Sequence, residues 1–66
     1  MPTRMTTPNE ILRTALKKES QARDFYADLA ENCSIDFVKN LLLKLQNEEA
    51  KHVSMIQKML ARLESG

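Results

Sequence analysis

Glu49 and His52 form a Glu-x-x-His step inside a segment with helical periodicity. Three residues along a helix correspond to roughly 300° of rotation and about 4.5 Å of rise, so the two side chains project from one face. The other members of this seam, at alternating spacings of four and three, are apolar: Val38, Leu42, Leu45, Ile56, Met59 and Leu63. A carboxylate and an imidazole in such a seam need a partner, a proton or a cation.

A second acid occupies the matching place in the preceding periodic segment. Glu19 is the one ionisable acid in a seam made of Leu12, Ala15, Glu19, Ala22, Tyr26 and Leu29. If the two segments pair as an antiparallel hairpin that turns near Cys33, Glu19 lies level with Glu49 to within about 1.5 Å along the axis. The sequence therefore predicts that Glu19, Glu49 and His52 share one polar layer.

The composition of this layer favours a pair of metal ions. Two copies of the hairpin would bring together four carboxylates and two imidazoles, and two divalent ions neutralise four carboxylates. A shell of oxygen and nitrogen ligands with open positions suits iron or manganese better than a closed zinc site. One Glu from each of two helices and Glu-x-x-His from each of the other two is the ligand set of carboxylate-bridged di-iron bundles. We therefore expect two iron ions per dimer interface, with manganese or zinc as substitutes.

Two helices must position these residues. Thr7 followed by Pro8 and then Glu10 predicts a capping box, from which a first helix runs over about residues 8–32. Ser34 is the expected N-cap of a second helix over about residues 35–64. The polar, proline-containing residues 1–6 are expected to be a flexible lead, and residues 7–66 to form a single hairpin domain.

The width of the apolar surface predicts self-association. A chain of 66 residues buries little surface alone, and its one cysteine forms no intrachain disulfide. Two helices that face only each other do not need apolar residues beside both seams. Such residues are nevertheless present: Ile11, Leu16, Phe25, Phe37, Leu41, Met55 and Leu60. We expect a homo-oligomer, either a dimer that forms a four-helix bundle or a ring of dimers.

Charge and hydropathy argue against two classes of partner. The formal net charge is +1, with no basic stripe of the kind that binds nucleic acid. The longest apolar runs are a few residues, and the first six residues have no hydrophobic core region. We therefore expect neither nucleic acid nor membrane as a partner, and a cytoplasmic location.

Two stretches carry a family resemblance. Glu-Ser-Gln-Ala-Arg at residues 19–23, followed by Phe25-Tyr26 and Leu29-Ala30, resembles the first metal-bearing helix of rubrerythrins. Asn-Glu-Glu-Ala-Lys-His at residues 47–52 resembles their Glu-x-x-His helix. The resemblance extends over roughly residues 11–60 and implies an all-α, ferritin-like four-helix bundle. It also implies that Glu19, Glu49 and His52 are iron ligands and that Tyr26 lies beside them as a supporting catalytic residue.

The chain departs from rubrerythrins in having one helix pair where they and ferritins have two. It is similar in this respect to encapsulated ferritins, whose short chains dimerise to complete a di-iron site and assemble into rings. A protein nanocompartment is therefore an alternative location, with its shell as a partner. Lys18 and Gln21 stand where encapsulated ferritins carry further acidic residues. The chain has no Cys-x-x-Cys pair, so a rubrerythrin-like peroxidase cycle would need an external reductant.

These features predict a di-iron oxidoreductase that oxidises ferrous iron with dioxygen or peroxide, a ferroxidase related to iron storage. Rubrerythrin-like peroxide reduction is the second choice of chemistry. A hypothesis of a different class is a metal-free oligomerisation module whose polar layer sets the register between partners. Taken by itself, Glu19 could be a solvent-exposed residue at the edge of its seam. Tyr26 could be a packing residue whose hydroxyl finds a hydrogen-bond partner. A register device needs one polar residue, whereas this layer contains three.

Overall fold

The computed structural model describes residues 7–65, which form an all-α antiparallel hairpin. Helix α1 spans Pro8–Glu31 and helix α2 spans Asp36–Ser65. The hairpin measures 46 × 31 × 12 Å, and its smallest dimension is the thickness of one helix. Neither of these helices is apolar enough along its length to cross a bilayer. The predicted flexibility of residues 1–6 concerns a part of the chain outside the described residues.

The predicted capping box starts α1. The hydroxyl oxygen of Thr7 accepts a hydrogen bond from the backbone N–H of Glu10 at 3.1 Å. The same hydroxyl donates to the Glu10 carboxylate at 2.9 Å. Pro8 occupies the first turn, where its missing N–H costs nothing. The beginning of α1 is therefore determined by local sequence.

The turn between the helices is one residue longer at each end than predicted, since α1 ends at Glu31 and α2 begins at Asp36. Asn32 caps α1, with its side-chain amide donating to the Asp28 carbonyl at 2.8 Å. The expectation that Ser34 caps α2 is wrong, because α2 begins at Asp36 and the Ile35 carbonyl accepts the first helical bond, from Lys39 at 2.8 Å. Ile35 thus occupies the cap position. Asp36 lies in the first turn of α2, where its charge complements the helix dipole.

The strip along which the helices touch follows the predicted seams over most of their length and departs from them at a few positions. Ala30 and Val53 are the buried residues of the described chain, at 1% and 5% exposure, and neither belongs to a predicted seam. The predicted seam members Leu29, Met59 and Leu63 are instead exposed. A straight helix repeats every 3.6 residues, so a seam spaced at 3.5 drifts by about 20° per heptad away from its partner. The expectation of a seam buried within the hairpin is wrong at these positions.

One broad side of the hairpin carries most of the exposed apolar surface. We call it the open face. The exposed apolar residues of α2 on this side recur at helical spacing. The exposed apolar residues of α1 lie beside them on the same side of the hairpin. The large apolar residues of the open face are Ile11, Phe25, Leu29, Phe37, Leu41, Met55, Met59 and Leu63. Such a surface is typical of a protein that associates with another chain or with itself.

Candidate metal centre

Three side chains that can ligate metal meet at the middle of the hairpin. Glu19 comes from the centre of α1, and Glu49 and His52 come from the centre of α2. His52 Nδ1 lies 2.8 Å from Glu19 Oε1 and 3.1 Å from Glu49 Oε1. One donor atom from each of the three residues lies within 4.8 Å of the others. The structure thus brings together the three residues of the predicted polar layer.

These separations suit a shared metal ion. Two ligand atoms about 2.1 Å from an ion and at right angles to each other are about 3.0 Å apart, and opposite ligands are about 4.2 Å apart. The two contacts of His52 Nδ1 match the first spacing. The two carboxylates and the imidazole are also the mixed oxygen and nitrogen donors that iron and manganese accept. The residues present therefore fit a divalent transition metal.

The polar layer lies at the edge of the contact between the helices. The Glu49 side chain is 19% exposed and that of Glu19 is 31% exposed, whereas that of His52 is 46% exposed. Two helices cover one side of the layer only, so part of it stays exposed within a single hairpin. His52 continues the stripe of Met55 and Met59, so the layer opens onto the open face.

Without a metal, the layer satisfies itself by sharing a proton. The pKa of His52 is raised above its ordinary value of 6.5, first by its hydrogen bond to Glu19 and next by its bond to Glu49. A protonated Nδ1 donates to both carboxylates, so an imidazolium offsets part of their charge. A metal ion would take the place of that proton, since Nδ1 must be deprotonated to ligate.

Two neighbours of the layer have other partners. Tyr26, predicted to support the ligands, packs its ring against Phe25 with centroids 5.6 Å apart. It lies seven residues after Glu19, about 10 Å along α1. Glu48 is exposed and pairs with Lys51 at 3.6 Å, as expected for a solvated residue. The supporting role of Tyr26 stays a prediction.

Comparison with known proteins places this geometry in a family. No curated protein matches the chain significantly, and no solved structure does. The family model for rubrerythrin matches residues 10–66, which include both helices from the first turn of α1 onward and all three residues of the polar layer. A match over so much of the chain agrees with the all-α hairpin and with the convergence of Glu19, Glu49 and His52. The chain belongs to the rubrerythrin family.

Proposed function

We propose that this protein is a ferritin-like di-iron protein that oxidises ferrous iron with dioxygen or peroxide at an interface between two copies of the chain. The observation that carries the proposal is the approach of Glu19 and Glu49 to the same nitrogen of His52, at 2.8 and 3.1 Å. These residues come from two helices and converge at ligand spacing. Family membership supports iron as the metal.

A second copy of the chain completes the site. One chain offers three donor groups, fewer than the six positions that an octahedral ion fills. The polar layer opens onto the open face, so two hairpins stacked through these faces bring two layers together. Four carboxylates then neutralise two divalent ions, while two neutral imidazoles add no charge. The interface holds about one iron ion per chain.

The residues of the polar layer favour the oxidation of ferrous to ferric iron. When bound, iron supplies one electron per ferrous ion to dioxygen or peroxide. Glu19 and Glu49 place negative charge against the ion and favour its more highly charged ferric form. His52 is a neutral ligand at Nδ1, and the proton held there by the metal-free layer leaves when an ion binds. Apolar residues of the open face, such as Met55 and Met59, exclude water around the layer once they are covered.

Two other functions are weighed against this one. Rubrerythrin-like reduction of hydrogen peroxide uses the same residues and needs an external reductant, and family membership favours it. A metal-free oligomerisation module is favoured by the hydrogen bonds of His52 to both carboxylates, because the layer is satisfied without an ion. Ferroxidase activity remains our first choice, since a register device does not need three converging ligands.

Iron titration of the purified protein tests the proposal. Ferrous iron is added anaerobically, bound metal per chain is measured, and air or hydrogen peroxide is then admitted while near-ultraviolet absorbance is followed. We expect about one iron per chain and an absorbance that grows on oxidation. A faster response to hydrogen peroxide, with turnover on an added reductant, would favour the peroxidase.

The matched variants are Glu19→Gln, His52→Ala and the control Glu48→Gln. Glu19→Gln replaces an anionic ligand with a neutral amide and His52→Ala removes a ligand, so both should lose iron. Glu48 is exposed and paired with Lys51, so its variant should retain iron. Failure of the parent protein to take up iron, with its assembly unchanged, would leave the oligomerisation module as the better account.

A further inference from the structure

The open face has a projection at one end and a groove at the other. Phe37, at the loop end, is 78% exposed, the highest value among the large apolar side chains of the described residues. At the far end Pro8, Ile11 and Leu12 of α1 and Met59, Arg62 and Leu63 of α2 line a groove of about 570 Å³. Within the hairpin nothing described fills this groove or covers Phe37.

The projection and the groove are equally far from the polar layer. Phe37 precedes Glu49 by 12 residues, about 18 Å along the helix, and Leu63 follows His52 by 11 residues, about 17 Å. The next exposed apolar residue inward from each end of α2 is also at a similar distance from the polar layer. Leu41 precedes Glu49 by eight residues, about 12 Å, and Met59 follows His52 by seven, about 11 Å.

We propose that two copies stack through their open faces with their loops at opposite ends, so that Phe37 of each copy fills the end groove of the other. The proposal rests on the two-copy site of the proposed function and specifies how the copies are oriented. A two-fold axis through the polar layer and across the helices maps the loop end of one copy onto the far end of the other. Phe37 then meets the partner's Leu63, and Leu41 meets the partner's Met59.

The opposite orientation leaves these surfaces poorly packed. A two-fold axis parallel to the helices would also bring the polar layers together, but it would lay each α2 over the partner's α1 and leave both Phe37 side chains at the end away from the grooves. It would also close each groove of about 570 Å³ over the other, with no side chain to fill them. Unfilled apolar cavities are costly in proportion to their volume. Packing therefore selects the arrangement with loops at opposite ends.

Cys33 is a native reporter of this orientation. It is the one cysteine of the chain, a free thiol in the loop. With loops at opposite ends, the two Cys33 residues of a dimer are separated by about twice the distance from the loop to the polar layer, roughly 45–50 Å. With loops at the same end they would lie within about 20 Å, because packed helices are about 10 Å apart.

The experiment is to spin-label Cys33 and measure the distance between labels by pulsed electron resonance, on the smallest assembled species separated by size. We expect roughly 45–50 Å and no disulfide between chains under oxidation, since a disulfide needs Cα atoms within about 7 Å. A distance below about 20 Å, a rapidly formed Cys33 disulfide, or a chain that stays monomeric overturns the proposal.

A pair of variants tests the seat of Phe37. Phe37→Gln should weaken dimer association at least tenfold by sedimentation, whereas Leu43→Gln, at an apolar residue that is 44% exposed and lies off the open face, should change it little. Equal effects of the two variants overturn the seating of Phe37 in the groove. Iron per chain is measured on the same samples. If iron is taken up but the distance between the Cys33 labels is short, the orientation is wrong and the di-iron function stands. If the distance is long but no iron is taken up, the di-iron function is wrong and the orientation stands.

Discussion

His52 Nδ1 lies 2.8 Å from Glu19 Oε1 although the two residues are 33 positions apart in the sequence. The contact crosses the hairpin, so it exists only when α1 and α2 are folded against each other. Glu49, one turn before His52 on the same helix, completes the cluster at 3.1 Å. The ionisation of this imidazole therefore reports on the folded polar layer.

The pKa of His52 should exceed 6.5 in the metal-free protein, because both carboxylates stabilise the imidazolium. Since His52 is the one histidine, its ring protons give an unambiguous NMR titration. Glu19→Gln should lower the pKa more than Glu49→Gln does, as the bond to Glu19 is the larger cause. Glu48→Gln is the control and should leave the titration near that of the parent. A titration that ignores Glu19→Gln would contradict the observed contact.

Stability of the metal-free protein should fall as the pH is raised. The folded pKa of His52 is raised above the unfolded value of 6.5, so the folded state binds the proton more tightly. This stabilisation is fully present below pH 6.5 and is lost as the pH rises through the folded pKa. Thermal unfolding followed by circular dichroism should show a trend that His52→Gln removes. Identical pH profiles for the two proteins would count against the linkage.

Metal occupancy should follow the opposite trend. Protons compete with the metal for His52 Nδ1, so bound iron should decrease as the pH falls below the raised pKa of His52. Metal analysis after equilibration between pH 5 and pH 8 checks this. Any assembly that depends on the metal should weaken over the same interval and on addition of a chelator. Assembly indifferent to both treatments would separate association from metal binding.

Thr7→Ala should destabilise the protein by about 1 kcal/mol through loss of the N-cap of α1. The Thr7 hydroxyl both accepts from the Glu10 N–H and donates to the Glu10 carboxylate, and alanine does neither. Urea unfolding provides the measurement. Ser54→Ala, at an exposed position inside α2, serves as the control and should change the free energy of unfolding little.

Val53→Ala should cost about 2 kcal/mol, because it removes two buried carbon groups from the contact between the helices. Leu43→Ala removes more atoms but from a side chain that is 44% exposed, so it should cost less. Comparison of the two free energies of unfolding tests the observed contact strip. A larger loss for Leu43→Ala would mean that the helices are rotated from the arrangement described.

Much of the candidate site follows from sequence because its spacing lies within helices. Glu49 and His52 share a face through their separation of three residues, and Glu19 reaches their level because both helices are long and the turn is short. The capping residue Thr7 was likewise predictable from a local pattern. The start of α2 was predicted one residue early, because Ser34 is a common capping residue and Ile35 is not.

The sequence by itself determined two long amphipathic helices, their tight antiparallel connection and the composition of the polar layer, since capping and periodicity act over a few residues. Only the tertiary structure decided how each helix is rotated about its axis. That rotation depends on side chains packing across the hairpin, so Ala30 and Val53 are buried while Leu29 and Met59 are exposed. It also turned His52 toward the open face, with Nδ1 directed at both carboxylates.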